Sequence, residues 1–486
     1  MIDDSPRDEC GLFGVWAPGE DVSKLIFFGL YALQHRGQEA AGMAVSDGSR
    51  IIVYKDQGLV AQVFAESTLA ALQGHIGIGH TRYSTTGSSN WENAQPSFRE
   101  VKHRNSGVAL GHNGNLTNTL DIAGRTHEPH FGLRATTDSD LITALLAQHE
   151  GSLDEAVEEI MPLLRGAFSL VIMDEETVYG VRDPNGVRPL AIGRLASGGW
   201  VLASETCALD IVGAQWVRDV EPGEIVAIDE NGLRSRIYAK PNPKLCIFEY
   251  VYLARPDSVL ESRTVHDVRR EMGRALAEEA PVDADLVIGV PDTGPVAAAG
   301  FAEASKIPYG EGLVKNRYVG RTFIQPTQTI RQLGIRLKLN PLRSAVKGKR
   351  LVVVDDSIVR GNTTRQIVKL LREAGASEVH LRITSPPIRW PCFYGIDMAT
   401  KSELVASDLA VDEICQFVGA DSLAYLSLPS LVRSTQLPSD SFCRACFDGI
   451  YPIPIPENVD QLKFALEEAD PADDREARGE WRAQQT

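Results

Sequence analysis

Apolar residues follow two regimes along the chain. From Cys10 to about residue 235 they come in short runs closed by Gly, Asn or Asp: "HIGIGHTRYST", "SGVALGHNG", "GAFSLVIMD" and "WVLASE". Such runs read as short β-strands bounded by turns. Among them, "DLITALLAQH" and "SLDEAVEEIMPLLRG" space their apolar residues as helices do, and "EPGEIVAIDENGLRSRIY" reads as a hairpin. The mixture predicts a layered α/β domain with much antiparallel sheet. After "KPNPKLCIFEYVYLARPDS" the regime changes. "VHDVRREMGRALAEEA" is an amphipathic helix, and "ADLVIGVPDTG" is a buried strand running into a Gly-containing loop. "KRLVVVDDSIVRGNTTRQIVKLLREAGA" is a strand, a polar loop and a helix from about Thr364, with "SEVHLRITSPP" as the next strand. Strands alternating with helices predict a parallel, doubly wound sheet. From about residue 466 the charged tail predicts fraying or disorder.

Composition narrows the function classes. The 486 residues are 43% hydrophobic, enough for two or three domains. The net charge of -16 disfavours nucleic-acid binding, which needs a basic surface. No apolar run reaches the roughly 18 residues of a membrane span, and "MIDDSPRDE" lacks the apolar core of a secretory signal. A cytoplasmic protein is the expectation. Seven unevenly spaced cysteines then point to free, metal-binding or catalytic thiols rather than disulfides.

"LVVVDDSIVRGNTT" is the most specific local signal. Four apolar residues form a strand buried on both faces, and Asp355 and Asp356 stand at its carboxyl end, where open α/β sheets bind ligands. A Gly/Thr-rich loop entering a helix offers N–H groups and hydroxyls to a phosphate. The adjacent acids suit ribose hydroxyls or Mg²⁺. A lone Asp–Asp pair would read as turn and helix caps; the full string favours the phosphate site. It resembles the phosphoribosyl pyrophosphate (PRPP) motif of type I phosphoribosyltransferases. That resemblance gives Asp355 and Asp356 the ribose or metal contacts. It gives the loop of Ser357, Arg360, Gly361, Asn362, Thr363 and Thr364 the 5'-phosphate, with Asn362 where relatives carry threonine. "VPDTG" resembles the family's pyrophosphate loop, and Thr293 there keeps a hydroxyl for the metal. The basic stretch "LVKNRYVGRTFIQPTQTIRQLGIRLKLNPLRSAVKG" reads as a flap over pyrophosphate, with Lys315, Arg317 and Lys338 as its candidate contacts.

Cys10 raises a different question. A cysteine is a nucleophile only as thiolate and needs a base. A free α-amino group, with a pKa of about 8, suits that task near neutral pH. Removal of residues 1–9 as a propeptide would therefore put nucleophile and base on one residue. By itself Cys10 reads more readily as an ordinary cysteine near a flexible chain end. "CGLFGV", "LQHRGQEAAGMA", "GIGHTRYSTTG", "GHNGNLTN" and "ATTDSD", in that order, resemble the glutaminase domain of the N-terminal nucleophile (class II) amidotransferases. That likeness implies an αββα sandwich over residues 10–240, with autocatalytic propeptide removal. It assigns Cys10 as nucleophile and the Asn113 side-chain N–H with the Gly114 backbone N–H as oxyanion hole. Arg82 would bind the glutamine α-carboxylate and Asp138 its α-ammonium. His35, His80 and His112 read as structural.

The two halves together resemble the glutamine phosphoribosylpyrophosphate amidotransferases, with a phosphoribosyltransferase domain over residues 241–465 and a tail over 466–486. The resemblance implies transfer of the glutamine amide nitrogen, as ammonia, to C1 of PRPP in de novo purine biosynthesis. It also implies inhibition by purine nucleotides and a homotetramer or homodimer. Cys443 and Cys446 form a CxxC pair, and with Cys246 and Cys392 four thiolates become available. Spacing leaves zinc, a redox pair and an iron–sulfur centre open. Resemblance of "KLCIFEYVY", "WPCFYGIDM" and "FCRACF" to the family's iron–sulfur branch implies a [4Fe–4S] cluster. Cys207 and Cys415 match no motif and read as small buried hydrophobes.

Overall fold

The computed structural model describes residues 9–83, 91–101, 106–126, 137–316, 338–396 and 401–456. Residues 1–8 of the expected propeptide, the flap candidate Arg317 and the expected disordered tail lie outside the described residues. The described chain forms two compact units. One holds residues 9–245, 393–396 and 451–456; the other holds 246–316, 338–392 and 401–450.

The first unit is built on thirteen strands: β1 (Gly11–Trp16), β2 (Ala40–Ser46), β3 (Ile51–Gln57), β4 (Ile76–Arg82), β5 (Ser97–Val101), β6 (Ser106–Leu116), β7 (Gly166–Met173), β8 (Val178–Arg182), β9 (Ala191–Leu195), β10 (Trp200–Ala203), β11 (Ala214–Asp219), β12 (Glu224–Asp229) and β13 (Gly232–Ile237). They form a seven-stranded sheet, β11-β9-β10-β1-β4-β2-β3, and a six-stranded sheet, β13-β12-β8-β7-β6-β5. Strand periodicity explains how these sheets stack. Along β7, Phe168, Leu170 and Ile172 join a core with helices Asp138–Gln148 and Leu153–Ile160, while Val171 and Met173 face Leu12, Ile78 and Leu202 of the other sheet. Phe13, Val15, Met43 and Val45 turn the opposite way, onto helix Val22–Ala32. The result is helix, sheet, sheet, helix, with every residue of β7 buried. Each such fully buried large apolar side chain contributes about 1.5–3 kcal/mol. Helix Leu153–Ile160 starts with a capping box: the Glu155 N–H donates to Ser152 Oγ at 3.2 Å, and the Ser152 N–H donates to Glu155 Oε2 at 2.8 Å. The expected hairpin is β12–β13, paired antiparallel from Glu224↔Ile237 to Asp229↔Gly232.

The second unit centres on a four-stranded, fully parallel sheet: β14 (Leu286–Gly289), β15 (Arg350–Asp355), β16 (Glu378–Ile383) and β17 (Ser422–Tyr425), in that order. Leu351 and Val353 face helices Asn362–Glu373 and Val411–Val418. Val352 and Val354 point the other way and are also fully buried. Helix Gly294–Ser305 lies against β14 and β15 and against helix Val265–Glu279. Those two helices approach so closely that a Cβ at Gly273 would sit 1.9 Å from the Ala297 carbonyl oxygen. Among the described residues no helix is long and apolar enough to cross a membrane.

Candidate active site

Strand order brings the first set of candidates together. β1 lies beside β4 with Gly11 opposite Thr81, so Cys10, at the head of β1, meets Arg82, at the end of β4. Asn113 and Gly114 lie on β6, and Asp138 opens helix Asp138–Gln148, where the Thr137 hydroxyl accepts the Asp140 N–H at 3.4 Å. Cys10, Arg82, Tyr83, Gln95, His112, Gly114, Thr137, Asp138 and Ser139 line one small cavity. Gly114 has φ +141°, and a Cβ there would stand 2.0 Å from the Ala167 carbonyl oxygen, so only glycine fits.

The electrostatics of this cavity are largely set by protein groups. Burial pushes the Cys10 thiol up to about 11, with Glu39 adding to the shift and Arg82 and Arg36 opposing it. The thiol points at the Tyr83 carbonyl, 3.6 Å away. Near neutral pH it is protonated, and an activating base is needed. Burial also raises Asp138, but the adjacent His112 ring and the N–H groups of Leu116 and Ser139, both at 2.9 Å, outweigh it and hold the carboxyl below its usual range. Arg82 is 3% exposed and lies in the fields of Glu39 and Asp138. Asn113 is 1% exposed, and its side-chain N–H group has no partner among the described residues. A buried donor left unmatched is costly, and it suits an acceptor that arrives with the substrate. His80 is held neutral: burial lowers it to about 3, and its Nε2 stands 3.0 Å from the His112 carbonyl. His35 bridges the Ala32 carbonyl and Glu205, and His112 Nδ1 meets Ser139 Oγ at 3.2 Å.

Several residues around this cavity were not singled out from the sequence. Arg36 and Arg188, both at most 1% exposed, form buried ion pairs with Glu9, and Arg36 also pairs with Glu205 at 2.5 Å. A short segment arriving from far along the chain supports β6. Asn115 Nδ2 donates to the Phe393 carbonyl at 3.2 Å. The Arg188 guanidinium donates to the Tyr394 carbonyl at 3.0 and 2.6 Å. Gly395, at φ +112°, lies so close that a Cβ on it would meet Gly114 Cα at 3.0 Å. Apart from Arg188, these residues stood inside stretches quoted for other reasons, and nothing in those stretches pointed to the pairings.

The second set gathers at the carboxyl end of β15. Asp355 ends the strand, and its side chain accepts the Asp356 N–H at 3.0 Å. Asp356 accepts Ser357 Oγ at 2.6 Å and is also hydrogen-bonded to the Thr293 hydroxyl. Burial raises both carboxyls, and Asp356 adds to the rise at Asp355. The N–H groups of Thr384 and Ser385 fix the backbone by donating to the Asp355 and Asp356 carbonyls at 2.9 and 3.0 Å. The helix after the loop starts at Asn362, two residues earlier than the sequence suggested. Gly361 ends the loop at φ +80°, which releases the chain into helix before the threonines. Asn362, Thr363 and Thr364 therefore form the first turn, at the positive end of the helix dipole. Arg360 pairs with Glu403 at 3.2 Å. Lys315 forms an ion pair with Asp292 of the "VPDTG" loop, and the Asn316 N–H donates to the Lys338 carbonyl at 2.8 Å.

The four candidate cluster cysteines also converge. Burial raises the Cys446 thiol, and Cys246, Cys443 and Cys392 are near enough to raise it further. The Ile247 N–H donates to the Cys443 carbonyl at 3.1 Å, and those of Arg389 and Trp390 donate to the Cys446 carbonyl at 3.0 and 3.2 Å. All seven cysteines are free thiols, and among the described residues no group of three or more His, Cys, Asp or Glu is placed so that it could hold a metal ion as it stands. Cys207 is buried beside Glu205; Cys415 is only half-buried and donates to the Ala420 carbonyl at 3.4 Å.

Comparison with known proteins agrees with this two-part reading. A glutamine amidotransferase domain model matches residues 80–210, and a phosphoribosyl transferase domain model matches residues 258–384. The amidophosphoribosyltransferase of Mycobacterium leprae is 61% identical over 475 residues, covering 95% of this chain and 85% of that protein. A solved structure of the allosteric regulatory enzyme of purine biosynthesis superposes with a TM-score of 0.88 at 44% identity, covering 94% of this chain and 99% of its own. The glutamine PRPP amidotransferase of Bacillus subtilis, solved with ADP and GMP, gives 0.86 at 44% identity, covering 92% and 98%. With its N-terminal nucleophile sandwich and its phosphoribosyltransferase sheet, the chain belongs to the amidophosphoribosyltransferase family.

Proposed function

We propose that this chain transfers the amide nitrogen of glutamine to C1 of PRPP, giving 5-phosphoribosylamine, pyrophosphate and glutamate, the first step of de novo purine biosynthesis. The observation that carries this reading is a single cavity that presents a thiol, a buried guanidinium and a buried carboxylate together, from Cys10, Arg82 and Asp138. Arg82 grips the glutamine α-carboxylate and Asp138 its α-ammonium, which lays the side-chain amide against the sulfur. Removal of residues 1–9 supplies the base, because the new amino group of Cys10 takes the thiol proton that the uncleaved chain retains. Attack builds an oxyanion that the Asn113 amide and the Gly114 N–H receive. Collapse frees ammonia and leaves a glutamyl thioester, which water hydrolyses.

In the second unit the first turn of the helix, Asn362 to Thr364, with Ser357, Arg360 and Gly361, binds the 5'-phosphate. Asp355 and Asp356 hold the ribose hydroxyls. Thr293, Lys315 and Lys338 bind the pyrophosphate; the expected contact from Arg317 falls outside the described residues. The oxygen-only donor set of Asp355, Asp356 and Thr293 fits Mg²⁺, which when bound offsets the charge of the departing pyrophosphate. Cys246, Cys443 and Cys446, all buried, with the half-buried Cys392 make a thiol-only set whose chemistry suits a [4Fe–4S] centre. ADP and GMP bound to the Bacillus subtilis relative support inhibition by purine nucleotides. We further infer a cytoplasmic homotetramer or homodimer.

The test is stoichiometry. With glutamine, PRPP and Mg²⁺, glutamate and pyrophosphate should appear in equal amounts, and ammonia should replace glutamine. Glutamate release without pyrophosphate would contradict the transfer. An anaerobic absorption spectrum with iron and sulfide analysis tests the thiol centre, and zinc in their place would overturn the cluster.

A further inference from the structure

The residue before the nucleophile has a purpose-built seat. Glu9 is 1% exposed, and its carboxylate lies between two guanidiniums that are equally buried: Arg36 Nη2 at 3.2 Å and Arg188 Nη1 in direct ion contact. Arg36 reaches further. Its Nε donates to the Cys10 carbonyl at 3.3 Å, so one guanidinium grips the residues on both sides of the Glu9–Cys10 peptide bond. Arg36 also holds Glu205 at 2.5 Å, so two buried cations meet two buried anions. Burying charges in this way is costly unless each is paired. No step of glutamine hydrolysis uses Glu9, yet the interior is built around it.

We propose that Arg36 and Arg188 form a recognition site for the acidic side chain preceding Cys10, and that Glu9 is the positioning residue for cleavage of the Glu9–Cys10 bond. This rests on the reading that Cys10 becomes the first residue. In the cleavage the Cys10 sulfur attacks the Glu9 carbonyl carbon. The thiol proton passes to the Cys10 nitrogen, which leaves as a free amine while a thioester forms. One water then splits the thioester, its hydroxyl going to Glu9 and its hydrogen to the sulfur. The seat pins the Glu9 carboxylate and the Cys10 carbonyl on either side of the scissile bond, which limits the conformations that bond can sample. It also survives the loss of Glu9: Arg36 keeps Glu205, and Arg188 keeps the Tyr394 carbonyl.

The experiment follows the intact mass of the full-length chain and of Glu9→Gln and Glu9→Asp with time after synthesis. The wild-type chain should lose residues 1–9. Glu9→Gln, which keeps size and loses charge, should be cleaved more than about tenfold more slowly, and Glu9→Asp should recover part of the rate. The same Glu9→Gln change in an uncleavable Cys10→Ala background must still melt cooperatively. Equal cleavage of Glu9→Gln and wild type overturns the seat and leaves the processing reading intact. A wild-type chain that keeps residues 1–9 overturns the processing reading itself. Slow cleavage in a chain that no longer melts cooperatively overturns the positioning role in favour of simple misfolding.

Discussion

Around Cys10 the groups that meet a glutamine are already held by the protein, whereas at the end of β15 two acids crowd one another. Asp138 is fixed by two N–H groups and the His112 ring, and Arg82 lies in the field of two carboxylates. Among the described residues the Asn113 amide and His112 Nε2 are buried there without a partner. Asp355 and Asp356, by contrast, are both raised by burial, which two hydroxyls, a backbone N–H and the field of Arg269 do not offset. A preformed pocket loses little order on binding, so it selects by shape and charge. A pocket with crowded acids is completed by what it binds, and on the proposed function that is a cation-laden sugar phosphate.

That contrast can be broken at either pocket. The largest effect is expected from Asn113→Ala. Loss of one oxyanion donor should lower glutamine-dependent kcat by about 10²–10³-fold with little change in KM, and leave ammonia-dependent turnover untouched. A matching loss with ammonia would remove Asn113 from the glutaminase step. Asp356→Asn should lower both glutamine- and ammonia-dependent turnover by about 10–100-fold and weaken PRPP more than glutamine, as seen in the two KM values. Gly395→Ala places a Cβ against Gly114 at a backbone angle that favours glycine. Glutamine-dependent kcat should fall by about tenfold while the ammonia-dependent rate holds. The smallest change is one of pH profile. In an uncleavable chain the Cys10 thiol sits at about 11. Its thiolate fraction, and its alkylation rate, should keep climbing about tenfold per pH unit through pH 9 and 10. A plateau near neutral pH would show that the uncleaved thiol is already activated.

The architecture was legible where side chains obey a period. "GAFSLVIMD" alternates between two cores, and "LVVVDDSIVRGNTT" names both its strand and its loop. The start of the helix at Asn362 was misplaced by two residues because a positive-φ glycine, not a side-chain cap, sets it. Cys10, Arg82 and Asp138 were named from motif order, but their meeting depends on β1 lying between β10 and β4, which no local pattern encodes. Glu9 with Arg36 and Arg188, and Gly395 against Gly114, were invisible for the same reason. Glu9 and Arg36 stand 27 residues apart and the other pairings span more than a hundred, so none leaves a periodic trace, and a buried arginine looks like a surface one until its carboxylate is found.

The central claim is a division of labour: sulfur releases nitrogen in one unit, and the sugar-phosphate pocket consumes it in the other. Cys10→Ala tests it most directly, with phosphoribosylamine formation measured from glutamine and from ammonia under the same PRPP and Mg²⁺. The account predicts that glutamine-dependent formation vanishes and ammonia-dependent formation stays at the wild-type rate. Loss of both, or survival of the glutamine reaction, would contradict it.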